Sequence, residues 1–188
     1  MANYIHPTAV IGPNVQMGDN NYIGPFCIIG FPAEHKAFWE MEKVEEPWTS
    51  WGTKEYMRAK AGKVIIGNNN VFTGLVTVDA GTETDTVIFN NVWMMKSVHI
   101  GHDAIIHDNV TISPGARIGG HCIIYKGSNI GMNACMHQRT VLLEDSMLGM
   151  MSSITKTLKV EPNSVYIGSP AKFLRKNDRN IQNNKSDK

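Results

Sequence analysis

Cysteine is scarce in this 188-residue chain: Cys27, Cys122 and Cys135 form an odd set with no CxxC spacing. That argues against a disulfide framework and fits a reducing compartment. No apolar run approaches the roughly 18 residues a membrane helix needs. The stretch Met1-Ala2-Asn3-Tyr4-Ile5-His6-Pro7 has neither a basic nor an apolar signal region, so the expected location is the cytoplasm. Formal net charge is +1 and charged residues make up 19%, so no global field draws the protein to nucleic acid or an acidic surface. Only the C-terminal end is locally basic. A GxSxG elbow and an obvious activated cysteine are both missing, which disfavours a covalent acyl-enzyme route.

What the chain does have is a six-residue aliphatic beat. It runs through Ile5, Ile11, Met17, Ile23 and Ile29, with glycine following each of the last four. It resumes at Ile66, Phe72 and Val78, breaks for four residues between Asp79 and Val87, and then continues unbroken from Ile88 to Val160. Two positions before each aliphatic stands a mostly small residue, among them Ala9, Val98, Ala104, Val110, Ala116, Cys122 and Ser128. An α-helix repeats at about 3.6 and an isolated amphipathic strand at about 2, so neither explains the pattern. Three short strands of six residues close a triangular coil of eighteen. The large side chain fills the prism, the small one fits a corner, and glycine or asparagine is expected to take the turn conformation. The fold class is therefore all-β, a parallel β-helix whose coils touch only their neighbours. Every residue on the beat reads as core, so function must lie off it.

The longest segment off the beat, about residues 31–63, holds Pro32, Phe38, Trp39, Pro47, Trp48, Trp51 and Tyr56 among many charges. Its aromatics argue against disorder, and it is expected to form an arm that leaves one corner of the prism. The second interruption, Asp79-Ala80-Gly81-Thr82-Glu83-Thr84-Asp85, is a short polar loop directly before the histidine-bearing coils. At the other end, Gly168-Ser169-Pro170 leads out of the column into the basic segment Lys172–Lys176. One domain is expected over residues 1–176, with 177–188 a polar, disordered tail.

Residues eighteen apart lie above one another in such a column. Asp103 then stacks on His121, and His102 lies two coils from Gln138, beside His137. A histidine on that edge can take a proton from a hydroxyl or amine nucleophile near neutral pH. A carboxylate can fix its tautomer, and both Asp103 and Asp79 are candidates. Direct attack on a thioester, with backbone N–H groups stabilising the oxyanion, suits this inventory.

At these residues the sequence resembles the UDP-N-acetylglucosamine O-acyltransferases of lipid A biosynthesis and their shorter sugar acyltransferase relatives. The motif HIxHD appears as His99-Ile100-Gly101-His102-Asp103, GH as Gly120-His121, HQ as His137-Gln138, and IGPFCI as Ile23–Ile28. The resemblance covers about residues 5–176 and implies a left-handed coil, a homotrimer with sites between adjacent prisms, and His102 as the base. It also implies donor- and acceptor-binding roles for His99, His121, His137 and Gln138.

The departures are informative. That family's long helical C-terminal domain is not expected over these 188 residues. Its PQDLK-like run reads Pro32-Ala33-Glu34-His35-Lys36, with Glu34 and Lys36 as acceptor-binding candidates, and its VTIHRGT reads Val76–Thr82 without the histidine and arginine. Where the family sets acyl length, Met150 would close the hydrocarbon groove and imply a short acyl group. The ending Gly168–Lys172 resembles acetyl-CoA-dependent hexapeptide transferases, in which Lys172 and Arg175 would meet the CoA phosphates. The expected reaction is transfer of a short acyl group, acetyl from acetyl-CoA, to an amino or hydroxyl group of a sugar, nucleotide-linked. Acetyl-CoA or another acyl thioester serves as co-substrate, and no bound cofactor or metal is expected. An acyl carrier protein donor with a long chain is an alternative. A second is a zinc site of His102, His107 and Asp79, since Ile100–His107 resembles the IGHNAxxH of γ-class carbonic anhydrases. A non-catalytic structural trimer is a third.

Overall fold

An inward-pointing side chain at every sixth residue produces three flat faces, and the computed structural model shows all three over the residues it describes, 1–33 and 62–178. Each rung contributes one short strand to each face. One face carries Tyr4–Ile5, Tyr22–Ile23, Val71–Phe72, Trp93–Met94 and their successors up to Ser164–Ile167. A second carries Ile28–Phe31, Thr77–Asp79, His99–Ile100, Arg117–Ile118, Cys135–Met136 and Ser153–Ile154. The third runs from Val15–Met17 to Val141–Leu142. Within these faces all pairing is parallel except at the C-terminal end. The architecture is a left-handed parallel β-helix of about eight turns, and the described residues contain no helix.

The register reproduces the beat and its interruptions. Trp93 pairs with Thr111 and Thr111 with Asn129, steps of eighteen. Across the second interruption the step is twenty-two, as in Ile65 with Val87 and Thr77 with His99. Tyr22 pairs with Val71, so the column closes beneath the first interruption without losing alignment. Most of the expected arm, with Phe38, Trp39, Trp48, Trp51 and Tyr56 as well as Glu34 and Lys36, lies outside the described residues.

The beat residues Ile100, Ile106, Ile112, Ile118, Ile124 and Ile130 are fully buried. Their stacking makes one continuous apolar column, and burying each side chain stabilises by roughly 1.5–3 kcal/mol. The last beat position, Val160, is only partly buried and forms no strand. There the chain turns, and Lys172–Lys176 folds back antiparallel on Ser164–Ile167. Asn177 remains tied to the column: its N–H donates to Asn163 O at 2.8 Å and its side-chain amide to Asp145 O at 2.7 Å.

Apart from Gly30 (φ 84°), the glycines after the beat residues do not take the turn conformation expected of them. Left-handed backbone falls two residues later, on Asp103 (φ 58°), His121 (φ 57°) and Arg139 (φ 62°) among others. Gly101 serves close approach instead, because a Cβ there would sit 2.7 Å from Gly120 N in the next rung. Small residues after the beat let rungs stack, and the polar residues beyond them make the turn.

Truncating one beat residue away from the site isolates the column's contribution. Ile124→Ala is expected to lower the unfolding free energy by about 2–5 kcal/mol, and outward-facing Ile123→Ala by less, both read from urea titrations.

Candidate active site

The loop between Asp79 and Thr86 protrudes because its rung carries four residues more than the others. It folds onto the carboxylate of Asp103, whose side chain has no exposed surface. Thr82 N–H donates to Oδ1 at 3.0 Å, Glu83 N–H at 2.9 Å and Thr84 N–H at 2.5 Å. The Thr82 hydroxyl donates to Oδ2 at 2.7 Å and the Thr84 hydroxyl to Oδ1 at 3.1 Å. Successive backbone N–H groups converging in this way form an anion-binding nest, here filled by the chain's own carboxylate. Below it, Asp103 N–H donates to Thr86 Oγ1 at 2.8 Å.

Burial alone would push the Asp103 carboxyl up. The hydrogen bonds from Thr82, His102 and Thr84 outweigh it and hold the group far below the usual carboxylate range. An ionised Asp103 therefore meets His102, whose Nδ1 lies 2.6 Å from Oδ2. The carboxylate can only accept, so Nδ1 carries the proton and Nε2 is left as the basic nitrogen. The imidazole packs over Gly120, and the His102 backbone carbonyl accepts the His121 N–H at 2.8 Å.

His121 stands edge-on to His102 with ring centroids 5.1 Å apart. Its Nε2 is 3.6 Å from Asp103 Oδ2 and 3.2 Å from the Arg139 guanidinium. Because arginine only donates, the contact with Arg139 requires that nitrogen to act as acceptor. Arg139 also lies 3.5 Å from Glu83 on the loop.

A cavity of about 530 Å³ opens on the other side of His102, lined by Phe31, Thr77, Asp79, His99, His102 and Gly120 among others. His99 Nδ1 lies 2.8 Å from Thr77 Oγ1 and its Nε2 3.8 Å from Asp79. A second, mostly apolar groove of about 340 Å³ continues along the same face past His99, Arg117, Cys135 and His137.

The structure thus brings together His99, His102, Asp103 and His121, with Asp79 in the same cavity. It corrects the expected alternative that Asp79 orients His102: Asp103 holds that ring, and Asp79 faces His99. His137 and Gln138 are exposed one rung further on, where His137 Nδ1 bonds the Gln138 carbonyl at 3.0 Å. Met150 is 63% exposed at a corner and lines neither cavity. Lys172 and Arg175 lie on the exposed antiparallel strand at the column's end, away from both. Glu34 and Lys36 lie outside the described residues. Thr82, Thr84 and Arg139 were not anticipated. Arg139, eighteen residues after His121, was accessible from the register, whereas the threonines sit on a loop that the register does not place.

The zinc set of His102, His107 and Asp79 is not assembled within the chain. His107 is stacked between Phe89 and Tyr125 at 5.0 and 4.8 Å, with a strand separating it from His102. Among the described residues the one group with ligand atoms within 4.8 Å is His102, Asp103 and His121. Both Asp103 oxygens already accept several hydrogen bonds, so the carboxylate of this group is engaged by donors of the chain itself.

Comparison with known proteins bears on the repeat, the fold and the relatives of the chain. A model described as bacterial transferase hexapeptide (six repeats) matches residues 85–120. Over 120 residues the chain is 37% identical to the acyl-[acyl-carrier-protein]–UDP-N-acetylglucosamine O-acyltransferase of Rickettsia canadensis, covering 53% of this chain and 46% of the relative. It is 31% identical over 121 residues to the protein of that name from Saccharophagus degradans, covering 54% and 47%. The chain resembles these acyltransferases. It spans about half the length of the curated relatives it matches. A crystal structure of the UDP-N-acetylglucosamine acyltransferase from Bacteroides fragilis shares the fold, with a TM-score of 0.80 at 24% identity, covering 97% of this chain and 64% of that one.

The caged carboxylate makes a stability prediction with a defined sign. Its folded pKa is depressed, so its contribution is present above the unfolded value near 4 and is lost as pH falls towards the folded one. Asp103→Asn sets an amide among donors and is expected to cost about 2–3 kcal/mol at pH 7. The gap to the unaltered protein should narrow below about pH 4, as read from thermal melts across pH.

Proposed function

We propose that the protein is an acyltransferase that moves an acyl group from a thioester to a hydroxyl of a nucleotide-linked sugar, with His102 as general base. One observation carries the reading: His102 is held through Nδ1 by a buried, ionised Asp103 while the ring borders an open cavity. In that cavity the sugar hydroxyl attacks the thioester carbonyl, a C–O bond forms, and the proton passes to Nε2. The carbonyl oxygen gains charge, which backbone N–H groups of the neighbouring rung, Gly120 nearest, would stabilise. As the intermediate collapses the C–S bond breaks, and the imidazolium returns its proton to the departing thiolate. Asp103 stabilises the imidazolium throughout without taking the proton.

Acyl-[acyl-carrier-protein] and UDP-N-acetylglucosamine are the substrates named for the relatives, and we take them as donor and acceptor here. Acetyl-CoA is the second reading for the donor, favoured by the ending Gly168-Ser169-Pro170-Ala171-Lys172, which resembles that of acetyl-CoA-dependent hexapeptide transferases. The protein acts as a homotrimer in the cytoplasm, with a neighbouring prism completing each cavity. Asp79 and His99 serve acceptor binding, His121 lies beside the dyad, and His137 and Gln138 lie towards the donor.

The test is a thiol-release assay with acyl carrier protein and CoA donors against UDP-N-acetylglucosamine, using unaltered trimer, His102→Ala and His102→Gln. Loss of the base is expected to lower kcat at least ~100-fold with oligomeric state unchanged. A kcat unaffected by either substitution would sink the mechanism.

A further inference from the structure

The loop that carries Thr82 does more than cover Asp103. Thr82 and Thr84 both reach the carboxylate by backbone and hydroxyl, but the Thr84 hydroxyl takes Oδ1, whereas the Thr82 hydroxyl takes the same oxygen, Oδ2, that His102 uses. It is also within 3.3 Å of His102 Nδ1. Two donors, one neutral and one on the ring that becomes cationic, therefore share a single acceptor atom. Each hydrogen bond to that oxygen reduces what it offers the other donor.

The loop is built to hold this arrangement. A Cβ on Gly81 would fall 1.7 Å from Thr84 O, so glycine alone permits the tight turn that aims three N–H groups at Asp103. The loop is fastened from below by Gly62 N–H to Gly81 O at 2.7 Å and Lys63 N–H to Asp85 Oδ1 at 3.0 Å. From the side, the Arg139–Glu83 contact pins its tip to the residue that also holds His121.

We infer that Thr82 is a positioning residue for the proposed reaction, its hydroxyl competing for Oδ2 and moderating the pull of Asp103 on His102, so that the ring gives up its proton more readily than it would with that oxygen to itself. This rests on the assignment of His102 as base. With valine at position 82 the shape and backbone donors remain, but Oδ2 is left to His102 and the Thr82 N–H. The imidazolium is then better stabilised and the ring holds its proton to higher pH. The other titratable or charged groups facing the ring are Asp103 itself, His121 with Arg139 behind it, Glu83 on the loop, and Asp79 with His99 across the cavity. Valine replaces none of them.

The experiment titrates the ring of His102 by NMR in histidine-labelled, intact protein, assigning its signal by its loss in His102→Gln. In Thr82→Val the midpoint should rise by about half a pH unit or more, and the acidic limb of kcat should move up with it while KM changes less than about twofold. Thr82→Ser, which keeps the hydroxyl, should titrate as the unaltered protein does. A midpoint in Thr82→Val that is unmoved or lowered overturns the inference, as does a shift of equal size in Thr82→Ser. The ring titration needs no substrate, so the two readings fail separately: a His102→Ala protein with full activity removes the base, whereas an unmoved midpoint removes only the role of Thr82.

Discussion

Each rung must close in eighteen residues, and everything else in the structure follows from that constraint. Parallel backbone pairing between rungs holds only if the same face position recurs at the same height, so Trp93, Thr111, Asn129 and Met147 share one line. Closure also decides side-chain size, because a prism edge leaves room for one branched aliphatic per face and little at the corners. The buried column of isoleucines is the result, and the corner residues are left to face solvent or each other.

Corners are where chemistry becomes available. Asp103, His121 and Arg139 occupy one corner in three consecutive rungs, all with left-handed backbone. That conformation turns the side chains outward along one edge, and their order sets the electrostatics. A carboxylate stands in the first rung, an imidazole in the second and a guanidinium in the third, so the series runs from a negative end to a positive one. His102, one residue before the corner, lies against the negative end of that series.

The fold was legible in the sequence because it rests on a one-dimensional regularity. Ile100 and Ile118 announce their burial by spacing alone, and the offset of twenty-two across the second interruption can be counted before any coordinates exist. The stacking of Asp103 on His121 was legible for the same reason. What escaped was whatever depends on the path of a loop. Nothing in the spacing says that Thr82, Glu83 and Thr84 point their N–H groups at Asp103, or that Asp79 faces His99 and leaves His102 to another partner. Gly101 was misjudged because a glycine has two uses, left-handed backbone and close approach, and only geometry tells them apart.

The extra four residues at the second interruption are tolerated by a column that is unaware of them two rungs away. Pairing on either side resumes with its usual step, as Trp93 with Thr111 and Tyr4 with Tyr22. In such an architecture an active site is an edit confined to a few neighbouring storeys of the building. The lining of a cavity can be lengthened, shortened or recharged there while the pairing of other storeys is unaffected, so heritable change in chemistry and heritable change in stability are largely separable. A fold of this kind can diversify by its corners while its interior stays monotonous.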